Sequence, residues 1–400
     1  MSDAASDPRY ATRPPKRPIR LSWADERVRG IVYQVLVVGI VGAIVYWLYS
    51  NTVHNLDVRR IATGWGFLQR EAGLPIAEYL IPYDPTDTYL RALQVGVLNT
   101  LKVAVVGIVL ATLLGSLLGV LKLSKNWLVS RVVGAYIEIV RDLPLLLQLL
   151  FWYALLQGLP GPRQAINPAT GVFLSNRGLK LPFFEWMPAH NWALLLVVIG
   201  AVATFLWRRA ALARQMQDGQ PRKVWPAALV FMLVIPLGVW YAQGAPFTPD
   251  IPALRGFNFT GGLTISPEFF ALLLGLTLYT AAFIAEIVRA GILSVNQGQW
   301  EAAEALGLAR GRVMNLVVLP QALRVIIPPM TSQFLNITKN SSLAVAIGYQ
   351  DIVSIANTTL NQTGQAIEGI AIIMLVYLTI SLSISLFMNW YNSRIALVER

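Results

Sequence analysis

Seven apolar runs, near residues 31–49, 96–121, 132–157, 192–207, 226–242, 268–290 and 369–390, constrain this chain more than any other feature. A helix that crosses the ~30 Å hydrocarbon core needs ~20 largely apolar residues, and the shortest runs here, 192–207 and 226–242, lie near the ~17-residue lower limit. Within a bilayer every backbone N–H and C=O must be satisfied inside the segment, so such runs fold as helices. The chain is therefore expected to be an all-α polytopic membrane protein. Its composition, 55% hydrophobic and 13% charged, agrees. An eighth span is expected at 325–348, although it carries Pro328, Pro329, Ser332, Gln333, Asn336, Thr338, Lys339, Asn340, Ser341 and Ser342. A segment this polar is tolerable in a membrane only if it is buried in protein or lines a wet cavity.

Lysine and arginine orient the spans. With the N-terminus in the cytoplasm and all eight segments crossing, the cytoplasmic pieces hold 20 basic residues and the external pieces 8. That is the bias expected of cytoplasmic loops, and it makes both termini cytoplasmic. Residues 1–22, rich in proline and basic residues, read as a disordered tail inside a cytoplasmic basic region 1–30. No small-residue cleavage site follows the first apolar run at Tyr49-Ser50-Asn51, so that run is expected to remain as a span. The external segments look short and poor in strand patterns. The net charge of +11 lies beside the spans, which points to membrane topology rather than nucleic acid. With no cysteine, and only His54 and His190, the chain offers no thiol chemistry, disulfide or histidine-based metal centre. No catalytic residue, cofactor or metal is expected.

Between the runs 268–290 and 325–348 lies a segment of different character. It reads Glu301-Ala302-Ala303, then Gly307, then Arg310, then Val317-Val318-Leu319-Pro320. Gln299 to Leu306 are good helix formers, Gly307 allows a tight turn, and Arg310 to Leu319 are expected to form a second helix that Pro320 limits. Glu301 is expected early in the first helix, where the dipole favours an anion. Ala302, Ala305, Leu306 and Ala309 share one face, followed by Val313, Leu316 and Val317, and small residues there let a partner's backbone come close. A Glu/Ala-rich helix alone is equally consistent with an ordinary amphipathic loop. The whole spacing, however, resembles the cytoplasmic EAA loop of binding-protein-dependent ABC importer permeases, which docks on the ATPase subunit.

The resemblance covers about residues 94–393. Leu98-Asn99-Thr100-Leu101 and Gly115-Ser116-Leu117-Leu118-Gly119 look like the start and end of the first core span in amino-acid importer permeases. Arg141, Pro144-Leu145-Leu146 and Gln148 are similar to their second-span signature, with Asp142-Leu143 where the family usually has Gly-Thr. Glu286 to Val295 leads into the loop as it does there, and Lys339-Asn340-Ser341-Ser342-Leu343 resembles the fourth-span pattern. The resemblance implies a type I ABC importer permease core of five spans. To it are added one N-terminal span with a periplasmic loop (31–93) and a two-span insertion (about 158–267), eight transmembrane helices in all. This plan looks like the larger permease subunits of general L-amino-acid importers and of glutamate/glutamine/aspartate/asparagine importers. It implies a bacterial inner-membrane location, L-amino-acid substrates, a periplasmic amino-acid-binding protein, an ABC ATPase subunit dimer, a second and paralogous permease subunit, and surrounding membrane lipid. No Gly-Lys dipeptide occurs, so this chain has no phosphate loop of its own.

Seven charged residues fall in or near spans: Lys102, Glu138, Arg141, Asp142, Glu286, Arg289 and Lys339. A charge at the bilayer centre costs ~2.5–3.5 kcal/mol, so each needs a partner or a wet surface. Glu138, Arg141 and Asp142 share a helical face, and Glu286 and Arg289 are i,i+3 neighbours, which suits local ion pairing. The competing reading is a polar translocation pathway made of Arg141, Glu286, Asn336, Lys339, Asn340, Ser341 and Ser342. Pro144 is expected to kink its span. An ion-coupled secondary transporter or a membrane-embedded enzyme remain as other function classes, although neither needs the Glu301–Pro320 loop.

Overall fold

The computed structural model describes residues 26–59, 63–220, 223–245 and 247–395. The basic tail before Glu26, Arg222 and the chain end at Arg400, on which part of the charge-based orientation rests, lie outside the described residues. Seven helical segments are long and apolar enough to cross a membrane, eight if one bent pair counts as a span. In chain order the helices are α1 (Glu26–Arg59), α2 (Tyr89–Lys122), α3 (Trp127–Asp142), α4 (Leu145–Gln157), α5 (Pro188–Asp218), α6 (Trp225–Leu229), α7 (Ile235–Ala242), α8 (Pro267–Leu293), α9 (Gln297–Ala305), α10 (Arg310–Val313), α11 (Leu319–Asn340), α12 (Ile352–Thr363) and α13 (Ala366–Ile395).

The packed centre is α2 against α8. Ala111, Gly115 and Gly119 line one face of α2, and a Cβ on Gly115 would lie 2.6 Å from Ile284 Cβ and 2.8 Å from the Ala281 carbonyl. Small residues at four-residue spacing let two backbones approach, which is how helices associate where lipid removes the hydrophobic driving force. α4, α11 and α12 pack around this pair, and α13 closes on α11 and α12. The segment 63–88 straps the bundle at the start of α8, the end opposite the loop after α8 and termed the outer end: Glu78 Oε1 accepts from the Ser266 backbone N–H (2.8 Å), and Gln350 exchanges hydrogen bonds with Ala77 and Pro75.

Proline is handled in two ways. The predicted span 132–157 is not a kinked helix but two helices, α3 and α4, at 105°. Leu143 is extended before Pro144, as steric conflict with the proline ring requires. The Gln148 side chain donates to the Val140 and Leu143 carbonyls (2.9 and 3.0 Å), satisfying groups the break leaves free. Pro320, expected to limit a helix, instead lies within one continuous run from Arg310 to Ile347. A π-helical turn over Met314–Val318 precedes it, and another over Val230–Val234 precedes Pro236 at the same distance. A widened turn relieves the clash and the missing N–H of a proline.

The segments around the inserted helices, expected to be poor in strands, carry eight short ones. β1 (Ile166–Ala169), β2 (Val172–Ser175), β3 (Gly178–Leu181) and β8 (Leu263–Ile265) form an antiparallel sheet in that order. β4 (Phe183–Phe184) pairs with β5 (Pro249–Asp250), and β6 (Ala253–Arg255) with β7 (Asn258–Thr260). These strands are too short for a clear alternation in the sequence; β1–β2, β2–β3 and β6–β7 are local hairpins, while β3–β8 and β4–β5 join the two sides of α5–α7.

Candidate functional site

The loop after α8 is built by two caps. The Asn296 side chain accepts from the Gly298 N–H (2.8 Å) and starts α9. At the far end Gly307 has φ +77°, a left-handed conformation in which a Cβ is strained, and the Leu308 N–H closes onto the Ala303 carbonyl (3.3 Å). α9 begins at Gln297, so Glu301 stands in its second turn rather than early, and the dipole contribution expected for it is correspondingly weaker. Ala303, Val313 and Val318 are buried in the main core, with Trp300, Leu308 and Val317 packed on them. Ala302, Ala305, Leu306 and Ala309 are exposed together, as is Leu316, so the face of small residues points away from the bundle. Glu301, Glu304 and Arg310 line a cleft of about 630 Å³ with Val295 and Trp300. Gln321 donates to the Gln299 side-chain oxygen (3.4 Å), tying α9 to α11, at whose start Leu319 and Pro320 are exposed.

The intramembrane polar residues divide. Glu286 is held by Arg289 and by Lys122 of α2 (3.3 Å), so it clamps α8 to α2 at the end that carries the loop. The local pairing expected for Glu138, Arg141 and Asp142 is not formed among the described residues: Arg141 instead lies over the Phe283 ring at 5.1 Å. Ser341 is buried and donates to the Thr338 carbonyl (2.7 Å), and Ser342 donates to the Lys339 carbonyl (2.8 Å), so both cap the end of α11. Asn340 is half-buried. Asn336 and Lys339 are exposed and lie on one stripe of α11 with Val325, Pro328, Pro329 and Ser332. A stripe of this polarity on a membrane helix needs water or another polypeptide over it.

Three polar residues at the outer end have partners that local sequence does not show, apart from the cap Asp351 makes at Ser354. Lys102 pairs with Glu78 (2.8 Å) and lies 4.0 Å over the Phe269 ring. The Asn99 amide donates to the Glu78 and Gln350 carbonyls (both 2.9 Å). Asp351 is fully buried: its carboxylate caps α12 at the Ser354 N–H (2.9 Å) and accepts from the Tyr377 hydroxyl (3.4 Å). Burial pushes its pKa up to about 7, against the opposing effect of these hydrogen bonds.

Residues 224–397 match a family described as "Binding-protein-dependent transport system inner membrane component". The chain is 52% identical over 382 residues to the "Putative amino-acid ABC transporter permease protein YhdX" of Escherichia coli K12, covering 95% of this chain and 97% of that one. It is 47% identical to the "General L-amino acid transport system permease protein AapQ" of Rhizobium johnstonii (95% and 96% covered). It is 43% identical to the "Glutamate/glutamine/aspartate/asparagine transport system permease protein BztB" of Rhodobacter capsulatus (98% and 99% covered).

Proposed function

Because the chain belongs to the family of inner-membrane permease components of binding-protein-dependent transport systems, we propose that it forms part of the translocation path of an L-amino-acid importer. Similarity along nearly its whole length to permeases of amino-acid systems carries this reading. A periplasmic binding protein delivers the amino acid, and a separate ATPase dimer drives the change between outward- and inward-facing states. The exposed face of α9, with Glu301, Ala302, Leu306 and the turn at Gly307, docks the ATPase. The stripe Ser332, Asn336 and Lys339 on α11 faces a second permease subunit and the path between them. Arg141, Glu286, Ser341 and Ser342 serve the bundle's own geometry. The two-span insertion (α5, and α6 with α7) and α1 stand outside the five-span core.

The decisive variant is Gly307→Asp. No atom lies within 4 Å of a Cβ built there, so the substitution strains the turn and adds charge to the outward face without disturbing the core. The left-handed backbone costs such a residue about 1 kcal/mol. Transport and binding-protein-stimulated ATP hydrolysis should fall together, at least tenfold, while membrane levels stay near normal. Normal transport and hydrolysis would exclude this loop as the coupling element. Orientation is tested separately by reporters: one at Gln217, in the last turn of α5, should read cytoplasmic and one at Gln350 periplasmic. Both on one side would refute the eight-span arrangement.

A further inference from the structure

The C-terminal half of α5 and the end of α13 together line a cavity of about 460 Å³ that has no counterpart among the residues discussed so far. Arg208 and Arg209 of α5 and Arg394 of α13 surround it, with Phe205, Trp390 and Tyr391 as aromatic walls. Two of the arginines are already placed by rings: Arg209 lies 5.0 Å over Phe205, and Arg394 5.6 Å over Trp390. No carboxylate among the described residues pairs with any of the three.

Depth in the membrane follows from the chain. Arg208 is the first charge after the apolar run 192–207, and Arg394 follows Trp390 and Tyr391 at the end of the last span. Tryptophan, tyrosine and arginine gather at this level, where hydrocarbon gives way to headgroups. Tyr391 also lines a second, apolar cavity of about 400 Å³ with Val120, Ile292 and Leu319, so the basic pocket opens at the membrane end that carries the α9 loop. α5 packs extensively only against its own hairpin partner, α6 and α7 with the π turn between them. The gap between hairpin and core at this end is therefore walled on both sides and unfilled by side chains.

We propose that this pocket binds the phosphate-bearing headgroup of an anionic phospholipid, which bridges the inserted hairpin to α13. Guanidinium forks match phosphate oxygens two at a time, and their hydration is weak enough to give up at an interface. The aromatic walls accept the glycerol and the start of the acyl chains. The lipid holds the hairpin in place at an end where few protein contacts do so. The assignment rests on α5 and α13 being membrane spans and holds whichever solute is transported.

The test is native mass spectrometry of the intact transport complex, titrated with phosphatidylglycerol or with phosphatidylcholine of the same chain length. The wild type should hold phosphatidylglycerol at least tenfold more tightly. Each arginine near an anionic headgroup is worth about fivefold in affinity, so the triple variant R208Q/R209Q/R394Q should bind it about a hundredfold less tightly. R208K/R209K/R394K should retain part of the preference. Arg163→Gln, which removes a cation stacked on Phe257 beside the strands, should change nothing. If the triple variant does not assemble, Arg394→Gln alone should show the fivefold loss. Equal retention of the two lipids, or unchanged retention in the glutamine variants, would overturn the proposal. Displacement of the lipid by millimolar inorganic phosphate would reassign the pocket to a free anion and overturn it as well.

Discussion

α1 and α8 supply spans of similar length, 29 and 27 residues, yet none of the most apolar stretch of α1 is buried inside the protein and 61% of that of α8 is. Apolarity therefore places a helix in the membrane without deciding what it touches. The difference lies in small residues. α8 presents Ala281 and Ala285 to Gly115 and Gly119 of α2, so the two backbones meet. α1 has Gly39 and Gly42, but no atom lies within 4 Å of a Cβ at either. The hairpin is intermediate: Gly200 of α5 sits directly against the Phe231 carbonyl, so it is tightly joined to its own partner and loosely to the core.

Substituting these glycines tests the contrast directly. Gly115→Leu drives a side chain into Ile284 and the Ala281 carbonyl, and is expected to cost ~3 kcal/mol or more, seen as lost membrane yield and a lowered Tm in detergent. Gly200→Leu should open the hairpin, detected as protease sensitivity near residues 219–224, while the core keeps its Tm. Gly42→Leu should stay within ~0.5 kcal/mol of the wild type. Equal losses at Gly115 and Gly42 would show that α1 is packed in the assembled protein as tightly as α8.

Asp351 sharpens the comparison at the outer end of the core. Its carboxyl is raised by burial from 3.8 to about 7, so the stability it contributes is fully present below about pH 4 and is lost as pH rises through about 7. At ~1.4 kcal/mol per unit the loss is on the order of 4 kcal/mol between those limits. Asp351→Asn keeps an acceptor for the Ser354 N–H and removes the charge. Thermal unfolding from pH 5 to pH 8 should therefore fall steadily for the wild type and much less for the variant. Parallel profiles would mean that Asp351 is ionised in the folded protein throughout.

Much of this was legible in the chain. Apolar runs located the spans but not their ends, since α5 continues to Asp218 beyond the run 192–207 and the polar segment 325–348 belongs to a longer helical run from Arg310 to Ile347. Gly307 marked its turn, while Pro144 marked a kink where the structure has a full break between two helices. Elsewhere local signals misled. Pro320 read as a stop, because a sequence does not show that a π turn will make room for it. Arg141 read as an ion-pair member at i,i+3 spacing, but Phe283 of another helix offered a nearer surface. The strands were invisible because each is two to four residues long, and two of the five pairings, β3 with β8 and β4 with β5, join segments on either side of α5–α7.

By itself, then, the sequence determined a membrane protein of about eight spans, its family and the position of the helix–turn segment around Gly307, because hydropathy and turn chemistry act over a few residues at a time. Only the tertiary structure decided where Lys102 and Asp351 find their partners, and that Arg208, Arg209 and Arg394 share one pocket. Those outcomes depend on side chains more than a hundred residues apart, or in separate helices, meeting at ångström distances. No local pattern encodes such a meeting.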